Sequence, residues 1–179
     1  MEGMVTFVSG RPVVILTKKV PHPDWLLFVL AHEIGHLAKC HLPEDEGQAI
    51  VDDTVEVKAG DDRDQQEEEA NRFATHLLAP KGKEVTIGKR LPVAAEFAAL
   101  AQKYGRETGI APGYVILNAV HNSLINGKKP YALGQAALKL IPSDDKSAAD
   151  FCKVALRANV DEYALRDDSV EFLEKLDLL

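Results

Sequence analysis

Trp25-Leu26-Leu27-Phe28-Val29-Leu30-Ala31-His32-Glu33-Ile34-Gly35-His36 is the stretch that decides the fold. Its first seven residues are apolar and hold no Pro or Gly. The spacing therefore predicts a helix with His32 to His36 inside it. Residues four apart lie on one helix face, with Cβ atoms about 6 Å apart. Two imidazoles so placed can share one tetrahedral zinc at Zn–N distances of about 2.0–2.1 Å. Glu33 is rotated from His32 by roughly a third of a turn. It is placed to reach a water on such an ion rather than the ion itself. Two ligands and one general base form the metallopeptidase arrangement. Gly35 costs up to about 1 kcal/mol relative to Ala inside a helix, and its bare backbone lets another element approach closely. The motif still needs a third ligand.

That ligand is sought on the next helical stretch, Gln65 to Ala79 (QQEEEANRFATHLLA), closed by Pro80 and Gly82. On its wheel Glu67, Ala70, Asn71, Ala74 and Leu78 share one face. Ala70 and Ala74 are small enough for a tight crossing against the motif helix. Glu67 then projects from the contact face and completes a His2Glu set with the fourth position left for water. Glu68 and Glu69 are rotated away, and His76 lies on the opposite side. An acidic first turn also complements the helix dipole. The upstream motif turns the reading of Glu67 toward a ligand. Asn71, one turn further on, is placed to hold a ligand by a hydrogen bond.

Met4–Val8 and Pro12–Thr17 are rich in β-branched residues and flank Ser9-Gly10-Arg11, which reads as a β-hairpin. Asp24 is the expected N-cap of the motif helix, which runs to about Cys40 and stops before Pro43. Cys40 reads as a buried structural thiol. The acidic stretch from Glu44 to Asp64 reads as a solvated loop with a short strand at Thr54 to Val57. Pro92 opens an amphipathic helix that Gly105 ends. A turn at Gly109–Pro112 leads to a helix reaching about His121. That pair resembles a helix-turn-helix, but its second member (GYVILNAVH) has no Arg or Lys to meet phosphates, so packing is its expected role. Asn126 to Pro130 reads as a loop and Leu133 to Ile141 as a short helix. Pro142 to Asp145 reads as a linker, before amphipathic helices near Ser147–Ala158 and Ser169–Leu178.

The 179 residues are 46% hydrophobic and 27% charged, which is ordinary for a globular chain with a real core. A net charge of −7 argues against direct nucleic-acid binding, which needs a basic face. Two cysteines, Cys40 and Cys152, make no disulfide framework. No apolar run approaches the roughly 20 residues that span a bilayer, so no membrane association is expected. Met1–Gly10 lacks a signal-peptide pattern, and a cytoplasmic setting is the expectation.

Phe28-Val-Leu-Ala-His-Glu-Ile-Gly-His resembles the active-site helix of the ImmA/IrrE-type zinc metallopeptidases. Glu67-Glu-Glu-Ala-Asn-Arg-Phe-Ala-Thr-His-Leu-Leu-Ala-Pro is similar to that family's second motif. The likeness extends weakly through Gly109-Ile-Ala-Pro-Gly-Tyr-Val and covers roughly residues 4 to 125. It implies that His32 and His36 bind zinc, that Glu67 is the third ligand and that Glu33 is the catalytic base. It implies a mostly helical α+β fold, with a small antiparallel sheet packed on the HExxH helix in a zincin-like minimal core. Residues 1–125 would form that domain, and residues 126–179 a C-terminal helical extension packed on it. It also implies a protein substrate, namely a helix-turn-helix repressor. His121 and Tyr114 are the candidate oxyanion donors. His and carboxylate ligands accept Mn2+ or Fe2+ as well as Zn2+. The competing expectation is a metal-stabilised partner-binding module without proteolysis, which would close its site with four protein ligands.

Overall fold

Ser9 and Gly10 both take positive φ, 51° and 71°, as a two-residue hairpin turn requires. They join β1 (Gly3–Val8) to β2 (Arg11–Leu16) in an antiparallel pair, with Val8 opposite Arg11. A computed structural model of the chain describes residues 3–16, 22–42, 48–52, 62–79, 84–88, 90–142 and 147–179. A third strand, β3 (Ala49–Asp52), pairs antiparallel with the other edge of β1, so the order is β2-β1-β3. The strand expected at Thr54–Val57 lies outside the described residues, as do Pro80 and Gly82.

The motif helix, α1 (Pro23–Ala38), packs on β1 and β2. Its N-cap is His22 rather than Asp24: the His22 ring accepts from the Asp24 N–H at 3.2 Å. The reason is Pro23, which suits the first helical position and sets the cap at His22, two residues before Asp24. Asp24 instead lies over the N-terminal turn of the fourth helix, where a Cβ on Gly113 would strike its carboxylate. An anion is favourable at that end of a helix.

Helix α2 (Asp62–Leu78) crosses α1 closely. A Cβ at Gly35 would stand 2.9 Å from Ala70 Cα and 3.0 Å from Ala70 O. Ala70 and Ala74 are fully buried. The small residues therefore sit where the crossing needs them.

Helices α3 (Ala94–Thr108), α4 (Pro112–His121) and α5 (Tyr131–Leu138) build the main apolar core with α1 and α2. Helix α3 passes through Gly105 and ends one turn later, at Gly109 with φ 76°. Gly105 stays helical because the returning chain covers it: a Cβ there would lie 2.6 Å from Ile110 O. Helix α4 buries Tyr114, Val115, Ile116, Ala119 and Val120, which is a packing role. Asn126 and Gly127, at φ 53° and 75°, make a second tight turn bridged by Ile125 and Lys128. Residues 84–88 are strapped to the core through Val85 N–H on Asn118 Oδ1 (2.7 Å) and Ile87 N–H on Ser123 Oγ (2.8 Å).

Ser147 and Asp150 form a capping box that opens α6 (Ala148–Asn159). A short 3-10 turn leads to α7 (Asp167–Lys175). Helix α6 touches α1, and Lys153 Nζ meets Asp177 Oδ2 at 2.8 Å. The described residues thus form a mostly helical α+β fold around one three-stranded antiparallel sheet. No helix among them is long and apolar enough to cross a membrane.

Candidate metal centre

Helix α1 carries His32 and His36 into the interior, both with no exposed surface. Their Nε2 atoms are 3.0 Å apart and their rings meet edge to face at 72°. The α1–α2 crossing brings Glu67 to the same point. Its Oε2 lies 3.2 Å from His32 Nε2 and its Oε1 lies 3.6 Å from His36 Nε2. The three side chains offer ligand atoms that all lie within 4.8 Å of one another. Two tetrahedral ligands on one zinc stand about 3.3 Å apart, given bonds of about 2.0–2.1 Å. The observed separations bracket that value, so two imidazole nitrogens and a carboxylate fit a single divalent ion. Among the described residues this is the one group of its kind.

Asn71, nearly fully buried, places Oδ1 3.0 Å from His32 Nδ1. An amide oxygen accepts, so His32 carries its proton on Nδ1 and turns a lone pair on Nε2 toward Glu67 and His36.

The other side of His36 meets a residue that sequence reasoning passed over. His41 Nδ1 lies 3.0 Å from His36 Nδ1, and His41 Nε2 lies 3.2 Å from Glu69 Oε2. The end of α1 explains how His41 gets there. His41 N–H bonds to His36 O at 3.0 Å and Cys40 N–H to Leu37 O at 3.1 Å, with Cys40 left-handed at φ 56°. That is a Schellman closure. It folds the chain back beneath the second histidine. Gly is the usual residue at the left-handed position, so a Cys there hides the closure from a sequence reading. Cys40 is also exposed, not buried, because it occupies the outside of this turn. Glu69 is rotated away from the trio as expected, yet the rotation aims it at His41. Hydrogen bonds, first from Gln65 and then from His41, hold its carboxyl below the ordinary range.

Glu33 is wholly buried and turned toward the sheet, where a Cβ on Gly3 would collide with its carboxylate. Tyr114 is placed in the core: its hydroxyl donates to Thr75 O at 3.4 Å, it accepts from Asn118 Nδ2 at 3.1 Å, and its ring packs on Phe28. Burial pushes its pKa up. His121 accepts from Lys129 Nζ at 3.3 Å and lines a cavity of about 50 Å3 with Trp25, Phe28 and Tyr131. Burial, then the charges of Lys129 and His32, bring its pKa down to about 4, so it is neutral at neutral pH. His76 stays on the outer face of α2, on the Arg72 carbonyl at 2.8 Å. A groove of about 560 Å3 lined by Val85, Ile87, Phe97, Leu100 and Tyr104 includes none of the trio.

Comparison of the chain with protein-family models, with curated proteins and with solved structures found no match.

Proposed function

We propose that this chain is a zinc-dependent endopeptidase of the ImmA/IrrE type, with a zincin-like core, acting in the cytoplasm on a helix-turn-helix repressor. The observation that carries the metal-dependent reading is the convergence of His32, His36 and Glu67 from two crossing helices. The repressor as substrate, and the family, are supported by the likeness of the two helical motifs.

In this reading His32, His36 and Glu67 hold the ion, and Asn71 keeps His32 in the ligating tautomer. Zinc, when bound, supplies Lewis acidity to a water and to the scissile carbonyl. Glu33 takes the proton of the attacking water and passes it to the leaving amine. His121, neutral and backed by Lys129, is the remaining candidate to donate a hydrogen bond to the developing oxyanion; Tyr114 has its proton committed to Thr75.

The burial of both histidines also suits an ion that only ties α1 to α2, without hydrolysis. Three protein ligands rather than four among the described residues favour the catalytic form, which keeps a position open. The test is Glu33→Gln in zinc-loaded protein incubated with repressors encoded beside its gene. Glu33→Gln should keep the fold and the zinc and lose cleavage by a factor of at least about 100. Equal cleavage by the variant, or none by the wild type, would overturn the peptidase reading.

A further inference from the structure

Three side chains, His36, His41 and Glu69, form a chain of contacts on the outer side of the centre. The Glu69 carboxylate only accepts. His41 Nε2, 3.2 Å away, must therefore carry a proton. When that is the only proton on the ring, His41 Nδ1 presents a lone pair. His36 Nδ1, 3.0 Å from it, must then bring the proton to that contact. This arrangement puts the one proton of His36 on Nδ1 and leaves Nε2 as a lone pair toward His32 and Glu67, which is what a shared ion at that point requires. Asn71 imposes the same tautomer on His32 from the opposite side.

We propose that Glu69 and His41 are positioning residues that lock His36 into its ligating tautomer and so set the affinity of the centre for a divalent cation. The proposal rests on the metal-binding reading above and adds to it a relay from the surface of α2 to one ligand. The alternative tautomer has a specific competitor's geometry. With its proton on Nε2, His36 would donate to His32 Nε2 at 3.0 Å and close the site with a hydrogen bond between the two ligands. His41 removes that option by accepting at Nδ1. Only 6% of its side-chain surface is exposed, so solvent does not readily replace it as acceptor. It is held there by the backbone closure through Cys40, not by a long side chain free to swing. Outer partners of ligating histidines commonly govern metal affinity in this way.

The experiment is a zinc titration of the full chain in competition with a chromophoric chelator. His41→Ala should bind zinc about 10- to 100-fold more weakly than wild type. His41→Asn should recover most of that loss, because its amide oxygen stands near the lost Nδ1 and accepts the same proton. Glu69→Ala, at a partly exposed side chain that leaves the core untouched, should also weaken binding, since it frees His41 to take either tautomer. Wild-type affinity in both His41→Ala and Glu69→Ala would overturn the relay while leaving the metal centre standing. So would an equal loss in His41→Asn and His41→Ala, which would mean that the ring's bulk matters and not its acceptor. A wild-type chain that binds no zinc would overturn the centre and the relay together.

Discussion

His121 shows how a single residue reports its surroundings. An apolar wall, the Lys129 ammonium and the nearby His32 all oppose its protonation, and its pKa falls to about 4. In the unfolded chain the group returns to about 6.5. The unfolded state therefore takes up the proton first as pH drops. Stability from this residue is complete above about pH 6.5 and is lost as pH falls toward 4, by about 2–3 kcal/mol. Urea midpoints of metal-free protein at pH 7 and pH 4.5 measure it. His121→Asn, which still accepts from Lys129 but cannot be protonated, should show a fall smaller by about that amount; an identical fall would show that the acid sensitivity comes from other groups. The outer contacts of His32 and His36 differ in how far the sequence discloses them. Asn71 was legible because it lies one turn from Glu67 on a regular helix. His41 was not, because its approach to His36 depends on a left-handed residue, and Cys40 gives no sign of that conformation.

At the scale of elements, the α1–α2 crossing does two things at once: it buries Ala70 and Ala74, and it sets Glu67 beside the histidines. Gly35→Ala separates these consequences from ordinary helix propensity. Ala is the better helix former by up to about 1 kcal/mol. The added methyl, however, would meet backbone at Ala70, 2.9 Å from Cα, and backbone cannot swing aside as a side-chain end can. Overpacking of this kind costs about 1–3 kcal/mol. The net expectation is a lower urea midpoint in metal-free protein, with zinc binding weakened because α2 carries Glu67 outward. An unchanged or raised midpoint would mean that the helices are not in this contact. The crossing was readable from composition, since small residues at helical spacing mark close approach on either partner. Strand β3 was not. Ala49–Asp52 is four residues long, flanked by acidic chain, and its pairing is set by β1 some forty residues earlier. Local periodicity carries no information about such a partner. The end of α3 was misread for a related reason: Gly105 looks like a stop, but it serves the chain that returns over it, and Gly109 makes the stop.

Across the whole molecule, α1 is the element that meets β1, β2, α2, α4 and α6. An ion shared by α1 and α2 would therefore fasten the helix on which the rest of the fold leans. Binding to the folded state alone adds stability by mass action, about 2.7 kcal/mol when free zinc is a hundredfold above its Kd. For a chain of this size that raises Tm by about 5–10 °C. Scanning calorimetry with zinc and then with excess chelator should show the rise and its reversal. The acidic run from Glu44 to Asp64 offers another place for a cation to gather, so the rise alone does not locate the site. His32→Ala does. It removes one of the two buried imidazoles and leaves every acidic residue of that run in place. If the centre is the one held by His32, His36 and Glu67, zinc should leave the Tm of this variant nearly unchanged. If the variant gains as much as the wild type, the stabilising ion sits elsewhere, and the tie between the two helices is not what the metal strengthens.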